Sequence, residues 1–147
     1  MPIADTIAER ESEIVEEFGL FDEWLDKYEH IIEQGKSLEG VDPEFRNDTY
    51  KVKGCQSQVW LQPGTRDGLV VFKADSDAAI TKGLVAIMVR VLSEQPAAAI
   101  AAAPLDFLEK IGLREHLSPT RANGLASMVK QMKLYAAAIA AQEAAHG

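Results

Sequence analysis

The sequence has a single cysteine, Cys55, and only three histidines among 147 residues. One thiol excludes an internal disulfide framework and a Cys-rich metal centre. Positive charge is also scarce: 15 Lys and Arg stand against 23 Asp and Glu, a formal charge of −8. That balance argues against binding a nucleic-acid backbone, which needs clustered positive charge. Long apolar runs are missing. None approaches the roughly 20 residues that span a bilayer, and the longest candidate, Pro96 to Leu105, is mostly alanine and is broken by Pro104. The N-terminus carries Asp5, Glu9, Glu11, Glu13, Glu16 and Glu17, where a secretory leader needs a basic start and an apolar core. There is no phosphate-binding Gly-rich loop, no complete calcium loop and no repeat. Neither a nucleic acid nor a membrane is expected as a partner. A reducing cytoplasm, where a free thiol persists, is the expected location.

What is present is the composition of an ordinary globular domain, 47% hydrophobic and 26% charged. The length suits one domain over residues 1–147. Ile3, Ile7, Ile14, Val15 and Phe18 recur at helical spacing up to Gly19. Phe21, Trp24, Leu25, Tyr28, Ile31 and Ile32 predict a second helix, with Asp22 as its cap and Gly35 as its stop. Residues 36–47 read as a loop. Alternation then predicts strands over Thr49–Lys53, Gln58–Gln62 and Leu69–Lys73, with a turn across Pro63–Gly68. Short connections make the pairing antiparallel.

Ile80, Leu84, Ile87, Met88, Val91 and Leu92 form the apolar face of a third helix, for which Asp75 or Ser76 is the expected N-cap. The alanine-rich segment before Pro104 suits a short helix. Pro104 suits the first turn of another, with Leu105, Leu108 and Ile111 inward and Gly112 at its end. Ser118-Pro119 starts a last helix with a buried stripe of Leu125, Met128, Val129, Met132, Tyr135 and Ile139, fraying beyond Ala140. Helices, three short strands, then helices indicate an α+β domain: a three-stranded antiparallel sheet with helices packed on it.

Cys55 lies in Lys53-Gly54-Cys55-Gln56-Ser57-Gln58, between two strands. Gly54 permits a tight bend that presents the thiol, and loops between rigid strands often carry function. The bland alternative is a small buried hydrophobe, the commoner state of a lone cysteine. His30, His116 and His146 form no catalytic spacing with Cys55, so a cysteine hydrolase lacks an obvious base. Thiol exchange needs less: an accessible thiol, a partner sulfur–sulfur bond and a thiolate. Lys51 and Lys53 could favour that thiolate or simply face solvent. Trp24 and Trp60 read as core or interface anchors.

Gly54-Cys55-Gln56-Ser57-Gln58-Val59-Trp60 resembles the signature of the SufE/CsdE sulfur-acceptor family. Three further blocks resemble that family in the same order: Trp24 to Ile32, Ala74 to Leu84 and Gly112 to Leu125. The resemblance implies a SufE/IscU-like fold. It implies that Cys55 accepts a persulfide sulfur from a PLP-dependent cysteine desulfurase of the SufS or CsdA type, stimulates that enzyme, and delivers sulfur toward a SufBCD-type iron–sulfur scaffold or another sulfur acceptor. By that implication the chain is not itself an enzyme and carries no cofactor, PLP belonging to the partner. One cysteine also cannot hold a cluster that needs about four thiolates or their equivalents. Asp77, Glu109 and Arg121 align with polar family positions near the acceptor loop or the desulfurase contact. Their own chemistry equally suits a helix cap, a solvated face and a helix-start ion pair. The family's cysteine loop can tuck its thiol into an apolar pocket, which conflicts with the Lys51 and Lys53 idea because such a pocket disfavours the thiolate. A regulatory module that stimulates the desulfurase without taking sulfur is the alternative from another class.

Overall fold

The computed structural model describes residues 6–146, without the side chains of Arg114 and His146. Ile3 and Asp5 lie outside the described residues. The first helix, α1 (Ile7–Gly19), begins at a capping box: the Thr6 hydroxyl accepts from Glu9 N–H while the Glu9 carboxylate accepts from Thr6 N–H. This reciprocal pair satisfies two of the N–H groups that a helix start leaves open. The second helix, α2 (Trp24–Gly35), has Glu23 rather than Asp22 as its N-cap, with no side-chain cap bond.

Strands β1 (Val59–Arg66) and β2 (Leu69–Ser76) form an antiparallel hairpin. Its turn is Asp67-Gly68, at φ 55° and 81°, the left-handed pair that matches strand twist in a two-residue hairpin. The broader turn expected from Pro63-Gly64 is therefore strand. Pro63 faces Phe72. Counting back from the turn, that pair exchanges no ladder hydrogen bonds, so proline's missing N–H points away from β2 and costs the ladder nothing.

The sheet among the described residues has two strands, not three. Thr49–Lys53 reaches it only through an isolated bridge, Lys51 to Trp60, with Val52 N–H donating to Val59 O at 2.8 Å and Leu61 N–H to Tyr50 O at 2.9 Å. Local turn chemistry cuts the segment short at both ends. Asn47 Oδ1 accepts from Thr49 N–H at 2.9 Å, and Gly54 turns the chain at φ 90°. The free edge of β2 is covered similarly, since Val70 exchanges backbone hydrogen bonds with Glu94 and Gln95.

Helix α3 (Ala79–Leu92) follows β2. β2 absorbs Asp75 and Ser76, the expected caps, and the N-cap is Ala78 with no side-chain bond. Helices α2 and α3 cross backbone to backbone at glycine. A Cβ on Gly83 would lie 2.1 Å from the Ile31 carbonyl oxygen, and one on Gly35 would lie 3.0 Å from Gly83 N. Two short helices follow, α4 (Ala97–Ala102) and α5 (Phe107–Lys110), with Pro104 between them rather than in a first turn. The expected inward residues Leu105, Leu108 and Ile111 are buried. The one-turn α6 (Leu113–His116) starts from Gly112 at φ 83°. The last helix, α7 (Pro119–His146), starts where Ser118-Pro119 predicts and continues past Ala140. Ser118 Oγ accepts from Arg121 N–H at 3.3 Å. One apolar core, including Leu61, Phe72, Met88, Ile100 and Met132, joins the hairpin to α3 and α7.

Candidate functional site

Cys55 sits in the short segment that leads from the Lys51 bridge into β1. Two anchors fix that segment. On one side is the Val52–Val59 hydrogen bond. On the other, Asp77 Oδ1 accepts from Gln58 N–H at 3.0 Å, and Asp77 N–H donates to Gln58 O at 3.3 Å. Thr81 Oγ1 also donates to Ser57 Oγ at 3.4 Å. The thiol, half-buried between these anchors, donates to the Gly124 carbonyl of α7 at 3.4 Å.

In front of the sulfur lies a cavity of about 350 Å³. Val59, Leu84, Val85, Leu125 and Met128 supply its apolar wall, from β1, α3 and α7. Ser57, Thr81, Ser118, Thr120 and Arg121 supply the polar rim. Burial pushes the Cys55 thiol up from its ordinary value. Desolvation disfavours the charged form, so this seat works against a thiolate rather than stabilising one.

The four site residues expected from the sequence divide into two places. Asp77 holds the Cys55 loop at Gln58 rather than capping α3, and Arg121 lines the cavity from the first turn of α7. Arg121 enters no ion pair among the described residues. Glu109 is exposed on α5 and does not line the cavity. Sequence reasoning missed Gly124, Thr81 and the apolar wall from α3. Gly124 lies within the last family-like block, but nothing in its spacing marks it as the contact for Cys55.

Neither of the histidines with described side chains serves as a base for Cys55. His30 on α2 contacts Glu17 at 3.0 Å, and His116 stacks on Trp24 with ring centroids 4.1 Å apart. Neither lines the cavity. Among the described residues, no group of three or more His, Cys, Asp or Glu is arranged to hold a metal, and no helix is long and apolar enough to cross a membrane. What the arrangement can do is present one thiol on a tethered loop beside a partly apolar cavity.

The family model for SufE, described as an Fe-S metabolism associated domain, matches residues 12–136. A SufE-like protein of Rhizobium meliloti is 44% identical over 126 residues, covering 82% of this chain and 90% of the relative. A SufE-like protein of Synechocystis is 37% identical over 127 residues, covering 86% and 80%. SufE-like protein 1 of Arabidopsis thaliana, described as chloroplastic/mitochondrial, is 42% identical over 122 residues, covering 82% of this chain and 33% of that longer protein. Among solved structures, the solution structure of a hypothetical protein from Thermus thermophilus superposes with a TM-score of 0.72 at 18% identity, covering 86% and 93%. At that identity the likeness is one of α+β fold.

Proposed function

The chain belongs to the SufE family of proteins associated with Fe-S metabolism, and from that premise we propose that Cys55 is a persulfide acceptor serving a PLP-dependent cysteine desulfurase. The Cys55 thiolate attacks the outer sulfur of the partner's persulfide. The partner's sulfur–sulfur bond breaks, its inner sulfur leaves as a thiolate, and the outer sulfur stays on Cys55. The observation that carries this reading is the thiol held on a short loop before a cavity of about 350 Å³. An acceptor needs that room and no catalytic base of its own.

The raised thiol explains why activation belongs to the encounter. While tucked, Cys55 is protonated and a poor nucleophile. Once the loop leaves the cavity the desolvation is relieved, and the partner's site favours the thiolate. Cofactor chemistry belongs to the desulfurase, of the SufS or CsdA type. The chain itself is a transfer partner and stimulator rather than an enzyme, working in the cytoplasm. It hands sulfur to an iron–sulfur scaffold of the SufBCD type. The apolar wall shields the carried sulfur from stray thiols and oxidants.

The test is mass spectrometry after incubation with a desulfurase and L-cysteine. The wild-type chain should gain the mass of one sulfur atom on the peptide holding Cys55. Cys55→Ser should gain none, stay folded and no longer accelerate the desulfurase. A serine variant that stimulates as well as wild type would make the chain a regulatory module instead.

A further inference from the structure

The acceptor segment is pinned at Val52 and Gln58, and between those pins its hold on the rest of the fold is narrow. Cys55 lies flat on α7 at the one place where the helix has no side chain. A Cβ on Gly124 would stand 3.5 Å from Sγ, 3.7 Å from Cα and 3.8 Å from Cβ of Cys55. These are ordinary contact distances, so a methyl would only touch, whereas a longer side chain would occupy the space Cys55 fills. Gly54 rests against the same face: at φ +90°, its hypothetical Cβ would lie 2.5 Å from Ser127 Oγ. The polar half of the seat is the Gly124 carbonyl, which accepts the thiol hydrogen at 3.4 Å. A carbonyl oxygen can hold an S–H in this way, but it repels a thiolate.

We infer that Gly124 is a positioning residue for the acceptor: its bare face seats Cys55 on α7, its carbonyl tethers the empty thiol, and sulfur loading removes that tether. The last clause rests on the sulfur-acceptor reading. Loading converts Cys55–SH and a partner persulfide R–S–SH into Cys55–S–SH and R–SH. One sulfur–sulfur bond breaks, one forms, and hydrogen is conserved. Afterwards Sγ bears no hydrogen, so it has nothing to donate to Gly124. The loop that was parked while empty then keeps its two pins and the Thr81–Ser57 hydrogen bond but loses its bond to α7, and Arg121 supplies a guanidinium to the lining of the cavity.

Two measurements test this without any desulfurase. The first is the pH profile of Cys55 alkylation by iodoacetamide. With Gly124→Leu, alkylation near neutral pH should be at least about fivefold faster, and the profile should move to lower pH as the sulfur is rehydrated. Ala138→Leu, an exposed position on the same helix, should leave both unchanged. A folded Gly124→Leu protein with the wild-type profile overturns the seat.

The second needs no variant. Capping wild-type Cys55 with methyl methanethiosulfonate gives Cys55–S–S–CH₃ and releases methanesulfinate, placing a second sulfur in the cavity and removing the S–H. Backbone amide order parameters over residues 53–57 should fall from the rigid range, about 0.85, toward about 0.6, while the hydrogen-bonded amides of Val52 and Leu61 stay protected from exchange. Unchanged order parameters overturn the tether, and this result decides the matter if Gly124→Leu fails to fold. A chain that passes both tests but takes no sulfur from a desulfurase refutes the proposed function and leaves the seat standing.

Discussion

Gln58 owes the orientation of its backbone to Asp77. The carboxylate takes the Gln58 N–H at 3.0 Å, and the two residues' main chains close the loop at 3.3 Å. An N–H at the end of a strand has no ladder partner of its own, so the side chain sets where β1 begins and therefore where Cys55 can reach. Replacing Asp77 by alanine removes the acceptor while leaving water to take its place. Amide exchange at Gln58 should accelerate about fivefold, with little change in overall stability. Asp77→Asn keeps an oxygen at the same position and should restore most of the protection. If alanine and asparagine behave alike and match wild type, Asp77 is only a solvated surface charge.

The helices and the bend at Gly54 were legible in the sequence because their signals are local. Apolar spacing marked α1, α2, α3 and α7, and Ser118-Pro119 marked the start of α7. The sheet was less legible because its register is decided across the chain. Pro63-Gly64 has the composition of a turn, yet the left-handed angles at Asp67-Gly68 carry the reversal. Thr49–Lys53 alternates like a strand, yet makes a single bridge. Glycines were least legible, since what a glycine admits lies in another element. Gly124 admits Cys55, and Gly83 admits the main chain of α2. In an open helix, Gly→Ala stabilises by about 1 kcal/mol. At Gly83 the sign should reverse, because the added methyl would meet backbone at 2.1 Å rather than a side chain that can turn away. We expect Gly83→Ala to cost about 3 kcal/mol in urea unfolding, at the top of the usual overpacking range. Gly19→Ala, with nothing within 4 Å, should be neutral or slightly stabilising. A Gly83→Ala protein as stable as wild type would mean that α2 and α3 are free to separate.

Across the whole molecule, one guanidinium joins three helices. Arg90 on α3 donates to Glu13 at 2.7 Å, to both oxygens of Glu17 on α1, and to Gln34 on α2 at 3.0 Å. The Arg90 hydrogen bond holds the Glu17 carboxyl below its ordinary value, outweighing the opposing effect of burial. The folded chain therefore binds that proton more weakly than the unfolded chain. The stabilisation is complete above the ordinary glutamate range and fades as pH falls through the depressed folded value. Glu11 on the same helix acts in the opposite sense: burial raises its carboxyl, outweighing the Phe107 backbone hydrogen bond that lowers it, so protonating it relieves a net cost. Stability measured against pH contains both, and Glu17→Gln separates them. Glutamine can still accept from Arg90 but has no charge to lose. The clasp is half-exposed, with 29% of each side chain accessible, so solvent screening limits the neutral-pH loss to about 1 kcal/mol. Between neutral pH and about pH 3, the variant should lose less stability than wild type, because part of the acid-sensitive term is already gone. Urea midpoints at the two pH values give the comparison. Equal losses in the two proteins would move the acid sensitivity away from Glu17, to the carboxylates of Asp42 and Asp75 that are also held low.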